Sequence, residues 1–292
     1  MKSLQGKVTL VAGASRGAGR GIALALGAAG ATVYVAGRTS RSGPKPADGA
    51  PGTVEDTADE VTGRGGRGVP VRVDCTVEAS VGTLFERIRN EHGRLDVLAN
   101  AVWGAADCYA SMEEWQTSWN RPFWEQRPTL WQHMITEGPY AYFLMSCYAA
   151  RLMTTAGKGL IVGVTDGIIE GQARGDYQGQ LIWDLAHQCI NRILHGMSVE
   201  TKPHNIAVVA LMPGFMQTER VIMNLKTEEL KKMFKFDKSE STEYIGRAVA
   251  ALAADPDVLA KSGKIHFVAD LAKEYGFTDV DGRFIPRFNP FQ

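Results

Sequence analysis

The sequence predicts a single α/β domain, a doubly wound, seven-stranded parallel sheet with helices on both faces. Three observations carry this. Short apolar runs rich in Val, Ile and Ala alternate with helical runs roughly every twenty residues, a rhythm that needs right-handed crossovers and parallel pairing. The first strand passes into the first helix through Gly13, Gly17 and Gly19. The 292 residues show no internal repeat and no linker, and they are enough for one large core.

Val8–Ala12 is the first strand, an unbroken apolar run but for Thr9. The turn after it has the spacing Gly-x3-Gly-x-Gly and opens an Ala/Leu-rich helical run over 22–27. Such a turn leaves the first helix amides unpaired at the positive end of the dipole, where a phosphate sits well. Gly13, Ser15, Arg16, Gly17 and Gly19 are therefore candidate phosphate-binding residues. Residues 31–36 form the second strand, which ends at Gly37-Arg38-Thr39. A dinucleotide-binding fold places the adenosine ribose at this strand end, and an NAD enzyme needs an Asp or Glu there for the 2′-hydroxyl. Here Arg38 follows Gly37, with no carboxylate, and Arg16 lies in the turn. Two cations suit a 2′-phosphate, so the expected cofactor is NADPH/NADP+, with Arg38 and Thr39 at its adenosine end.

Residues 40–52 form a loop rich in Gly, Pro and Ser, and 53–62 an acidic helix ended by glycines. The third strand, 69–73, leads to Asp74-Cys75-Thr76, with Thr76 the expected cap of a helix over 77–92. The fourth strand, 95–99, ends at Asn100-Ala101. Segment 102–131 leaves the regular pattern and holds five of the six tryptophans: Trp103, Trp115, Trp119, Trp124 and Trp131. It reads either as a packed helical excursion or as an aromatic wall over a substrate site. A helix over 139–153, a strand over 160–164 ending at Thr165-Asp166, a glycine-rich loop over 168–179 and a helix over 181–200 follow. The sixth strand, 206–211, ends at Pro213-Gly214; helices near 219–234 and 241–253 precede a seventh strand at 264–268. Segment 215–240 is the expected flap, and the tail 275–292 is expected to wrap over a neighbouring surface.

At this point the chain resembles the short-chain dehydrogenase/reductase family, from Lys7 to about Gly282. Gly13-Ala-Ser-Arg-Gly17-Ala-Gly19 is similar to its glycine turn, Asp74 with Cys75 to the adenine contact, Asn100-Ala101 to half of its Asn-Asn-Ala-Gly element, and Pro213-Gly214 with Thr218 to the segment that holds the nicotinamide amide. The resemblance implies a Rossmann fold, a nicotinamide cofactor and a homodimer or homotetramer built on the two long helices. It also implies a Ser after the fifth strand and a Tyr-x-x-x-Lys pair, where Tyr handles the proton and Lys holds the ribose. Here the sequence departs. Tyr177 has Leu181 four residues on; counting back about thirty residues from Pro213 reaches Trp183, with His187 at the Lys position. The second register needs no gap. Asp166 stands nearest the Ser position, and Gly138 where the family often carries an Asn.

Trp183 cannot supply a proton, because an indole N–H donates a hydrogen bond but is no usable acid. His187 could hold the ribose hydroxyls as a weaker cation. Three readings follow. The substrate is a cyclic or aromatic imine or iminium, whose charge Asp166 stabilises and whose ring the tryptophans stack. Or it is a carbonyl, protonated by Tyr177 or Asp166. Or the chain binds nucleotide or ligand without redox turnover. Lys+Arg and Asp+Glu are both 32, which points to a small-molecule substrate and away from nucleic acid or an anionic membrane. Four scattered cysteines, with no metal-ligand spacing, suggest reduced thiols and no metal site. The early glycine turn leaves no room for a signal peptide, so the expected location is the cytoplasm.

Overall fold

The computed structural model describes residues 2–43, 46, 49–104, 108, 114, 117–118, 121–166, 180–233 and 235–287. Its strands are β1 (Val8–Ala12), β2 (Thr32–Gly37), β3 (Arg67–Arg72), β4 (Val97–Asn100), β5 (Gly159–Val164), β6 (Ile206–Met212) and β7 (Ile265–Phe267). They form one seven-stranded sheet in the order β3-β2-β1-β4-β5-β6-β7. Every neighbouring pair is parallel. Growth of the sheet reverses between β1 and β4, and a crevice opens at such a reversal, at the carboxyl ends of the strands.

The longer helices are α1 (Gly17–Ala28), α2 (Val54–Gly63), α3 (Glu78–His92), α4 (Gly138–Ala156) and α5 (Leu181–Thr201). After β6 come the short α6 (Glu219–Asn224) and α7 (Glu228–Met233), then α8 (Thr242–Ala254) and α9 (Val268–Tyr275). Strand side chains alternate between two cores. Val11, Val33 and Val35 pack under α1, α2, α8 and α9, with Ile22, Val61, Ile245 and Leu271. Leu10, Tyr34 and Ala36 pack under α3, α4 and α5, with Phe85, Met145 and Ile190. No helix among the described residues is long and apolar enough to cross a membrane.

Several local expectations change. Thr76 does not cap α3; Val77 is at the cap position, and Thr76 turns back to give its amide and its hydroxyl to Asp74 Oδ1, at 2.9 and 2.6 Å. The single helix expected over 219–234 is two, because Leu225 leaves helical geometry and buries its side chain. The flap is pinched at its base, where Glu240 donates its amide to the Phe215 carbonyl and accepts from the Gln217 amide. The described part of the tail packs on its own chain. Ser241, which caps α8, donates both its amide and its hydroxyl to Asp279, Tyr244 donates to the Ile285 carbonyl at 3.2 Å, and Ile285 is buried.

Candidate active site

A cavity of about 470 Å³ opens at the carboxyl ends of the strands. Each strand from β1 to β6 delivers a residue one or two positions past its end: Gly13, Arg38, Asp74, Ala101, Asp166 and Pro213 all line the cavity. Ser15, Arg16, Gly17, Thr39, Cys75 and Thr218 line it too. Gly17 opens α1 with a φ of +60°, a conformation that favours glycine. Arg16 at the helix cap position offers no side-chain cap. It donates instead to the Pro51 and Gly52 carbonyls, at 3.1 and 3.0 Å, fastening the 40–52 loop to the turn. Burial, then the charge of Asp74, pushes the Cys75 thiol up to about 12, so it presents a neutral wall.

Three expected contact residues stand behind the wall. Gly19 does not line the cavity; a Cβ there would lie 2.2 Å from the Gly13 carbonyl oxygen, so its smallness lets the turn fold on itself. Asn100 is fully buried and donates to Ser146 Oγ on α4 at 3.2 Å, because β4 turns that side chain toward the helical layer. Gly214 gives its amide to Glu240 Oε2 at 3.0 Å. The carboxyl of Glu240 is buried, its Oε1 has no hydrogen-bond partner among the described residues, and burial raises its pKa to about 8 against the Gly214 amide.

The other end of the cavity is built from side chains. Thr165 Oγ1 donates to Asn191 Oδ1 of α5 at 2.8 Å, which leaves the next residue, Asp166, on the cavity wall. Trp183 Nε1 donates to Asp166 Oδ2 at 2.9 Å, and His187 Nε2 lies 4.0 Å from the same oxygen. His187 Nδ1 lies 2.9 Å from the Trp183 carbonyl oxygen. That oxygen only accepts, so the proton of the neutral ring sits on Nδ1, and Nε2 faces Asp166. The Trp103 ring lies 4.6 Å from His187 and 4.8 Å from Trp183.

Of the segment's described tryptophans, Trp103 alone meets the cavity. Trp124 and Trp131 face outward and are exposed. Trp115, Trp119 and Tyr177 lie outside the described residues. Two carboxylates not anticipated from the sequence join the cavity. Glu137 arrives on a π-helical turn, Gln132–Glu137, that leads into α4, and pairs with His133 Nδ1 at 3.2 Å. Glu219, first residue of α6, accepts from the Gly17 amide at 2.7 Å. A π-turn has no local signature, and the Glu219 contact spans 202 positions of sequence. The acid in the first turn after Thr218 was the only visible hint.

The Gly17 amide already holds an anion, the Glu219 carboxylate, and the cavity is walled by the ends of six strands. The residues present thus fit a dinucleotide whose phosphates meet the start of α1. Comparison with known proteins agrees. The family model described as short chain dehydrogenase matches residues 7–229. The chain is 38% identical over 288 residues to the mouse protein "Dehydrogenase/reductase SDR family member 1", covering 96% of this chain and 85% of that one. A short chain dehydrogenase structure from Mycobacterium thermoresistibile aligns with a TM-score of 0.75 at 19% identity, over 97% of this chain and 92% of that one. A 7α-hydroxysteroid dehydrogenase solved with NADH aligns with a TM-score of 0.67 at 23% identity, over 90% and 93%. The chain belongs to the short-chain dehydrogenase/reductase family, oxidoreductases that use a nicotinamide cofactor.

Proposed function

We propose that this chain is an NADPH-dependent reductase of the C=N bond of a bulky, aromatic or cyclic imine or iminium. The observation that supports it most is the Asp166 carboxylate, oriented by the Trp183 indole N–H at 2.9 Å, with Glu137 on the same cavity wall. NADPH, when bound, supplies the hydride. No lysine is among the described residues lining the cavity. Its one described tyrosine, Tyr142, gives its hydroxyl to the Val164 carbonyl at 2.8 Å, and burial raises its pKa. Among the described lining residues, a ketone's developing alkoxide would find no phenol and lysine pair. An iminium needs none, since its π electrons become the nitrogen lone pair as hydride reaches carbon. Asp166 stabilises that cation, and the Trp103 ring offers it a face. Arg38 directly follows β2, where the sequence Gly37-Arg38-Thr39 puts a cation in place of the acid an NAD enzyme needs, and this supports NADPH over NADH.

A second reading, carbonyl reduction, is favoured by the placement of His187, which lines the cavity with Nε2 4.0 Å from Asp166 Oδ2. NADPH consumption by the purified protein, run against an aromatic ketone and a cyclic aryl imine, separates the two. Turnover of the imine alone supports the first. Turnover of the ketone directs the search to His187 and Tyr177. Binding of NADPH with turnover of neither would indicate a ligand-binding protein with a retired site. We also propose a homodimer or homotetramer through α4 and α5, on which Tyr140, Phe143, Leu181 and Leu185 are exposed. Sedimentation showing a monomer at micromolar concentration would refute that assembly.

A further inference from the structure

A carboxylate of the flap reaches the start of α1. Glu219 sits at the first position of α6, where Thr218 caps the helix by accepting from the Val221 amide. From there Glu219 Oε2 takes the Gly17 amide at 2.7 Å, and Oε1 lies 3.8 Å from Arg20, one turn further along α1. Arg20 is itself held by Glu60 of α2. The cap residue of α1, Arg16, provides no side-chain cap, so a residue of the flap supplies the anion that this helix end favours.

We propose that Glu219 is a latch that competes with the cofactor's phosphates for the start of α1. With Glu219 on the Gly17 amide, the flap is tied down across the phosphate position. When that amide is taken by a phosphate, Glu219 must leave, and its like charge drives it away. Cofactor occupancy thereby frees the first turn of α6, and the flap becomes able to rearrange over a substrate only in the loaded protein. The latch lowers apparent affinity by the fraction of molecules in which it is open. This rests on the cofactor reading above.

The test uses the full chain and its Glu219→Ala variant. NADPH and NADH affinities are measured by fluorescence titration, and the unliganded proteins are digested with a lysine-specific protease that cleaves the flap at Lys226, Lys231 or Lys232. The latch predicts that Glu219→Ala binds NADPH roughly tenfold more tightly. It also predicts flap cleavage faster by about the same factor, since both report the open population. Glu219→Gln, which keeps the shape and loses the charge, should fall between. Wild-type binding of NADPH with an unchanged or weakened affinity in Glu219→Ala overturns the latch and leaves the cofactor reading standing. Failure of both proteins to bind either nucleotide overturns both. Tighter binding with unchanged flap cleavage also overturns it, because charge repulsion alone would then account for the gain.

Discussion

The two ends of the cavity are made by different means. At the nucleotide end the backbone does the work: strand ends, the positive φ of Gly17, and the amides at the start of α1. At the opposite end side chains do it: Asp166, Trp183, His187 and Trp103 hold one another through one hydrogen bond, one carbonyl contact and ring packing. A backbone-made site tolerates exchange of most side chains but not of its glycines. A side-chain-made site tolerates backbone variation but depends on each partner. Changes at one end should therefore leave the other intact, and this can be broken experimentally.

The largest effect is expected from Gly19→Ala. Its Cβ would stand 2.2 Å from the Gly13 carbonyl oxygen, against Gly13-Ala14 backbone that cannot swing aside as a side chain could. A loss of ~3 kcal/mol in urea unfolding is expected, with NADPH binding lost as well. A wild-type midpoint would mean the turn is softer than its geometry. Next comes Asp166→Asn, which should lower kcat for a cyclic imine roughly a hundredfold while the NADPH dissociation constant stays put. Parallel loss of cofactor affinity would show that the two ends are not independent. Arg38→Ala should reduce the preference for NADPH over NADH by roughly tenfold, read as the ratio of kcat/KM values.

The smallest effect lies between the ends. Glu240, on the flap base, has its pKa raised by burial from 4.5 to about 8. Its stabilising contribution is complete below pH 4.5 and is lost as pH rises through about 8, because the unfolded chain ionises first. Between pH 7 and pH 8 this should cost about 1 kcal/mol of unfolding free energy. Glu240→Gln should flatten that slope while keeping an acceptor for the Gly214 amide, and urea midpoints across the range would show it.

The same contrast explains what could be read from the sequence. The strands were legible because buried parallel strands are short apolar runs, and each predicted run falls within a few residues of its strand, as at Val8–Ala12 and Ile206–Met212. The glycine turn was legible because only glycine suits its positions. Trp183 and His187 could be located by counting back from Pro213, because one helix and one strand fix that distance. Their joint hold on Asp166 could not, since it depends on how α5 packs beside β5. The direction of the Asn100 side chain was not legible, because a strand residue points to one of two layers, and at the last position of β4 the choice is set by the pleat. Glu137 and Glu219 were silent, one carried by a π-turn and the other paired across most of the chain.

The clasp between Ser241 and Asp279 has a consequence in time as well as in space. Arg247 adds donations to the carbonyls of Thr278 and Asp279, and Arg283 reaches back to the carbonyl of Asp237. The flap base is thus held by residues made some forty positions after it. A ribosome can release β1 to β6 with their helices while that clasp is still inside the exit tunnel. The nascent chain then has its phosphate turn, yet the far wall of its cavity remains unanchored until residue 285 emerges.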